Sequence, residues 1–136
     1  AHGQLTLSQS VSWNIGDWHH VMVTRNSSNL ITMFIDGSSV KTGTNSDTLT
    51  LNSFGQINYP FEGLIDEYAV WDGDQSANIS SIYNSGVPDD LSSYSPVGYW
   101  RMGDNDGGTG TTITDQGSGA NDGTLTNGPT FSTDVP

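Results

Sequence analysis

The sequence predicts an all-β chain, an antiparallel β-sandwich with one short helix. Three observations carry this. Side chains alternate in character at period two through residues 18–24 and again through 64–71, as strand side chains pointing to opposite faces require. Asp36-Gly37 lies between two such runs, and both residue types tolerate the positive φ of a tight hairpin turn. Seventeen glycines, with many Ser, Thr and Asn, supply turns, while four Trp, five Tyr and four Phe argue against disorder.

In order, residues 4–7 form a short strand candidate and residues 12–24 a stronger one. In the latter, Trp18, His20, Met22 and Thr24 share one face and His19, Val21 and Val23 the other. Apolar residues on both faces predict a strand covered on both sides. Asn26, Ser27, Ser28 and Asn29 turn the chain into a strand over residues 30–36, and residues 40–42 begin the return after Asp36-Gly37. Residues 48–51 and 56–58 are weaker strands. Residues 64–71 are a strong one, with Ile65, Glu67, Ala69 and Trp71 on one side and Leu64, Asp66, Tyr68 and Val70 on the other. Ile79, Ile82 and Tyr83 fall at i, i+3 and i+4, which predicts a helix over residues 77–84, capped by Asp74 or Ser76 and ended by Gly86. Such a helix is too short to stand without support from the sandwich. Residues 87–96 read as a linker, 97–102 as a strand, 103–122 as a long polar loop and 123–125 as a last short strand.

Composition narrows the function. The chain has 136 residues, enough for one ordinary domain. No run of apolar residues is long enough for a membrane span, and no basic stretch leads into an apolar one as in a secretory leader. The first residue is Ala1 rather than Met, the mark of processing or of excision from a longer chain. Cysteine is absent, which removes disulfides, thiolate zinc sites and cysteine catalysis, and leans the source towards bacteria or phage. Fifteen acids against Arg25, Lys41 and Arg101 give a net charge of −12. Phosphate backbones and anionic lipid surfaces would be repelled, so neither nucleic acid nor membrane is expected as a partner.

Trp18-His19-His20-Val21, the Phe34-Ile35-Asp36-Gly37 hairpin and Phe61-Glu62-Gly63-Leu64-Ile65-Asp66-Glu67 occur in that order, the last running on to Trp71 and the short helix. Together they resemble the second half of laminin-G-like and pentraxin-like modules of the concanavalin A-like lectin/glucanase superfamily. The resemblance implies a jelly-roll β-sandwich and divides the chain at residues 1–92 and 93–136. The second part is similar to the opening strand of such a module, through Gly98-Tyr99-Trp100, Asp104, Asp115-Gln116-Gly117-Ser118-Gly119 and Asn121-Asp122-Gly123-Thr124-Leu125. That opening strand normally comes first and here comes last. Three arrangements stay open: the start of a next repeat, a permuted strand of the same domain, or a strand exchanged between subunits.

The resemblance assigns Trp18, Trp71 and Trp100 to the core. Trp13 lies in a turn-rich stretch and is the candidate ligand-binding residue, a platform for a sugar ring. His19 and His20 are adjacent in a strand and point apart, so they do not grip one ion, and His20 is expected inside, hydrogen-bonded. Asp104, Asp106, Asp115 and Asp122 in the Gly-rich loop, with Asp66, are candidate ligands of a structural calcium ion, which takes six to eight oxygens on flexible backbone. Glucanases of the superfamily carry an E-x-D-x-x-E strand with nucleophile and acid on one face. Around Asp66 the two glutamates of that pattern are replaced by Leu64 and Ala69, so no catalysis is expected. Two N-glycosylation sequons, at Asn26 and Asn78, matter only in a eukaryotic host.

These readings make the chain a non-catalytic carbohydrate-binding or adhesion module of an extracellular, cell-surface or virion protein, with a glycan and neighbouring copies or modules as partners. The rival is a purely structural spacer or decoration module without a ligand, in a particle, filament or repeat array. A glycoside hydrolase is the third and least favoured reading.

Overall fold

The computed structural model describes residues 7–48, 61–104 and 107–136. Strand β1 (Val21–Arg25) pairs antiparallel with β2 (Leu30–Ile35), and β2 with β3 (Ser38–Thr44), in one three-stranded sheet. β4 (Tyr68–Val70) pairs antiparallel with β5 (Gly98–Trp100), and β6 (Thr112–Ile113) with β7 (Gly123–Thr124). The described residues thus form part of an antiparallel sandwich, three small sheets and one short helix, rather than a closed jelly roll. The weak strand candidates at 4–7, 48–51 and 56–58 lie outside the described residues except for Leu7 and Thr48, which are in no strand.

The strand expected over residues 12–24 is shortened to β1. Gly16 at φ 95° and the Asp17 N–H donating to the Asn14 carbonyl at 3.3 Å fold its first half into a turn. The expectation that both faces are covered also fails: Met22 and Thr24 are buried, whereas Val21 and Val23 are 54% and 57% exposed. The β1–β2 turn forms as the sequence predicts. The Asn26 side-chain oxygen accepts from the Ser28 and Leu30 N–H groups, which fixes the bend locally. At the next hairpin Asp36 (φ 49°) and Gly37 (φ 74°) make a two-residue turn, so β3 starts at Ser38, two residues before the predicted return. Val40 is an extra residue bulged between the Phe34–Ser39 and Met33–Lys41 pairs. A Cβ on Gly37 would meet the Tyr83 ring at 2.7 Å, so glycine there lets the helix rest on the hairpin.

The strand expected over 64–71 contracts to β4. Glu67 takes a left-handed backbone (φ 51°), its N–H donating to the Asp66 side chain at 3.1 Å, and the chain bends before pairing begins. The helix region is as predicted in place but shorter. A 3₁₀ turn (Ser76–Asn78) leads into α1 (Ile79–Tyr83), and a second (Asn84–Gly86) closes it. Asp74 accepts from the Ser76 N–H at 3.0 Å just ahead of the helix, but neither residue caps it as expected: the N-cap positions are Gln75 and Asn78, without a side-chain cap bond. Residues 87–96 are not a linker. Asp90 caps a 3₁₀ turn (Leu91–Tyr94), and Leu91 is buried.

The core is Met22 and Phe34 from the first sheet, Ile82 from α1, Leu91 and Tyr99, with Ala69, Trp71, Ile79 and Tyr94 packed around them. Tyr99, in β5, is the most deeply placed, at 0% exposure. The C-terminal segment therefore completes the core of its own chain, with β5 in register on β4 through Tyr68–Trp100, Ala69–Tyr99 and Val70–Gly98. Trp71 packs on the core as expected and donates to the Tyr94 carbonyl at 3.1 Å. Trp18 and Trp100 are only partly buried, the latter against Tyr68 with ring centroids 5.7 Å apart.

Candidate functional site

Where β1 begins and β2 ends, Asp36 holds two neighbours at once. Its Oδ2 lies 2.8 Å from Nδ1 of His19, and its Oδ1 accepts from the His20 N–H at 3.0 Å. The ladder continues one step beyond the strands, since the Asp36 N–H donates to the His20 carbonyl at 2.9 Å. A side-chain oxygen thus replaces the backbone carbonyl that the turn has rotated away. Partial burial pulls the Asp36 carboxyl up, but the bonds from His19 and His20 outweigh it and hold the group below the usual carboxylate range.

The anchored His19 ring carries Trp13. The two rings are stacked, with centroids 4.4 Å apart and planes 14° from parallel. One face of the indole is thereby used internally. The residue as a whole is 47% exposed, and its stack on His19 is a contact the sequence did not announce. His20 is a correction. It lies inside, its ring tilted against Tyr83 at 5.7 Å, but its Nδ1 is buried without a hydrogen-bond partner instead of being bonded. Burial pushes its pKa down against the pull of Asp36, which favours the neutral imidazole.

A second polar cluster joins β4 to β5. The Tyr99 hydroxyl donates to Glu67, and Arg101 Nε lies 2.9 Å from the other Glu67 oxygen. Arg101 also reaches Asp104 at 3.0 Å. Burial pushes the Glu67 carboxyl up despite these partners, and it pushes Asp66 up as well. With both of its oxygens engaged by Tyr99 and Arg101, Glu67 ties two strands together. The sequence carried a hint of this in the rare arginine two residues after a core tyrosine.

The acidic residues expected to hold calcium are placed apart from that role. Asp115 is buried and accepts three backbone N–H groups, from Tyr99 at 2.7 Å, Gly117 at 2.8 Å and Asn121 at 2.8 Å. Burial raises its pKa, but these bonds win and hold it below the usual range. Asp122 accepts the Asp115 N–H at 2.9 Å, Asp104 is paired with Arg101, and Asp66 bonds the Glu67 N–H. Asp106 lies outside the described residues. Among the described residues no three carboxylates or imidazoles converge as a cation shell needs. The Asp115 oxygens serve the protein's own backbone, so this donor set does not fit a calcium ion.

An antiparallel sandwich with hairpins at these positions defines a class, and comparison with known families gives it a name. Residues 2–79, more than half of the chain, match the laminin-G type of the concanavalin A-like lectin/glucanases superfamily. The protein belongs to that family. Comparison with curated proteins finds no match, and neither does comparison with solved structures. No helix among the described residues is long and apolar enough to cross a membrane.

Proposed function

We propose that this domain is a non-catalytic carbohydrate-binding module of an extracellular or virion-surface protein, and that Trp13 is its sugar-stacking platform. One observation carries the reading: an exposed indole is held flat on an imidazole that a carboxylate in turn locks. Aromatic rings take the apolar face of a sugar through area burial and their quadrupole. Fixing the ring beforehand removes part of the ordering cost of binding. The experiment is a glycan array with the wild-type chain and Trp13→Ala, followed by titration of each hit monitored by calorimetry. Hits that vanish in Trp13→Ala and return in Trp13→Tyr support the platform. Hits that survive Trp13→Ala overturn it.

A second reading, a structural module that packs against neighbouring copies, is favoured by the exposed side chains of Val21 and Val23 on one face of the first sheet. Concentration-dependent self-association that Val21→Thr/Val23→Thr abolishes would move the assignment to that reading.

A further inference from the structure

Resting on the second reading above, in which copies of the chain pack on one another, we propose that β1 is a pairing edge: two copies join antiparallel through Val21–Arg25 about a two-fold axis at Val23. β1 lies at one margin of the three-stranded sheet and pairs only with β2 among the described residues. Its hydrogen-bonded positions are the even-numbered ones. The Asp36 N–H on the His20 carbonyl sets this at one end, and the Asn26 N–H on the Leu30 carbonyl at the other. Hydrogen-bonded and non-hydrogen-bonded pairs alternate in an antiparallel ladder, so the N–H and C=O groups of Val21, Val23 and Arg25 point away from β2. The side chains of the same three residues are exposed, while Met22 and Thr24 turn into the core.

The two margins of this sheet differ. β3, the far one, has the features that keep an edge from pairing: the bulge at Val40, then Lys41 and Gly43. β1 has none of them. Val-Met-Val-Thr-Arg pairs in unbroken register, is β-branched at three of its five positions and contains neither Pro nor Gly. An open, regular edge of this kind templates pairing with another chain.

Charge and register say which chain. Twelve of the fifteen acids lie after residue 61, and no residue of β1, β2 or β3 is acidic. Two copies at −12 each therefore meet less repulsion here than through the acid-rich remainder. An antiparallel pair centred on Val23 sets the outward groups of Val21, Val23 and Arg25 against those of Arg25, Val23 and Val21 in the second copy, so that all find partners. On the outer face Val23 meets its own counterpart, and each Arg25 lies across from a Val21 rather than a like charge. The contact is isologous and closes at two copies.

The test is sedimentation velocity over a concentration series at low and at high salt. The wild type is expected to pass from monomer to dimer and no further, and more readily as salt screens the like charge of the two copies. Val23→Lys and Val23→Glu each put like charges on the axis. Each alone is expected to stay monomeric, with a cooperative thermal transition because Val23 is exposed, and an equimolar mixture of the two to dimerise. Val23→Pro removes an N–H that β2 does not use and is expected to block the dimer while the monomer stays folded. A mixture that stays monomeric would overturn the axis at Val23. Self-association that Val21→Thr/Val23→Thr abolishes and Val23→Pro leaves intact would overturn the edge pairing and keep the packing reading. Growth beyond the dimer would overturn the two-fold closure. A monomer at every concentration and salt would overturn the pairing and the packing reading together.

Discussion

The Tyr99 hydroxyl donates to the Glu67 carboxylate and accepts the Leu91 N–H at 3.2 Å, so one buried phenol serves two separate stretches of chain. Burial and the adjacent carboxylate push its pKa far up, which favours the protonated, donating phenol. Tyr99→Phe keeps the ring and removes both bonds, leaving Glu67 and the Leu91 N–H short of a partner. The expected loss is about 1–3 kcal/mol, since an unsatisfied buried polar group costs its desolvation. Urea denaturation of the two proteins measures it, and a difference below about 0.5 kcal/mol would show that water replaces the phenol there.

Acid should act in two opposite ways. Asp66 and Glu67 have folded-state pKa values raised by burial, so their ionised forms oppose folding, and that opposition is relieved as pH falls through the raised values. Asp36 and Asp115 are depressed, so the stability they contribute is present above the unfolded value of 3.8 and is lost as pH falls through their lower folded values. His20 adds a loss of its own, since burial lowers its folded pKa below 6.5 and stability falls as pH drops through the imidazole range. The relief at Asp66 and Glu67 works against that loss, and Asp36 and Asp115 bring a further fall below about pH 4. Asp66→Asn, which keeps the acceptor for the Glu67 N–H, should raise the melting temperature at neutral pH and lose that advantage in acid. An Asp66→Asn melting temperature equal to that of the wild type at neutral pH would contradict the scheme.

Asp115 offers a test of what its oxygens are for. Asp115→Asn replaces one acceptor oxygen by an N–H₂ that faces backbone donors, and is expected to cost about 1–3 kcal/mol. The loss should be the same with millimolar calcium as with EDTA. A calcium-dependent rise in melting temperature that the wild type shows and the variant lacks would make Asp115 a ligand after all.

Cutting the chain after Ser95 removes β5 and with it Tyr99, the centre of the core. Residues 1–95 are expected to show no cooperative thermal transition and poor dispersion in a proton NMR spectrum. A folded, monomeric fragment would mean that the last forty or so residues are an appendage.

Much of the fold was legible in advance, and the exceptions have local causes. The Asn26 turn, the Asp36-Gly37 hairpin and the helix at Ile79, Ile82 and Tyr83 rest on short-range chemistry that a sequence displays. The strands over 12–24 and 64–71 were drawn too long because alternation says nothing of a turn at Asn14 or of Glu67 at positive φ. Leu91, hidden among serines and aspartates, looked like linker and proved to be core. At the site, Trp13 was readable as an exposed aromatic, but its support was not. His19 and Asp36 are 17 residues apart, and only the hairpin brings them together. The backbone bonds of Asp115 were hidden for a related reason: a carboxylate that gathers its own backbone looks the same in a sequence as one that awaits an ion.

The bond from Tyr99 to Glu67 spans 32 residues, and this has a consequence for biosynthesis. The β1–β3 meander can form as soon as it leaves the ribosome, since its pairings are local. Its apolar face then waits for a phenol still unmade. At about 5–20 residues per second, the interval between Glu67 and Tyr99 alone is roughly 2–6 s. A nascent chain paused in that window offers Met22, Phe34 and Ile82 to whatever is nearby, so yield in a heterologous host should depend on chaperone supply and growth temperature more than on the stability of the finished domain.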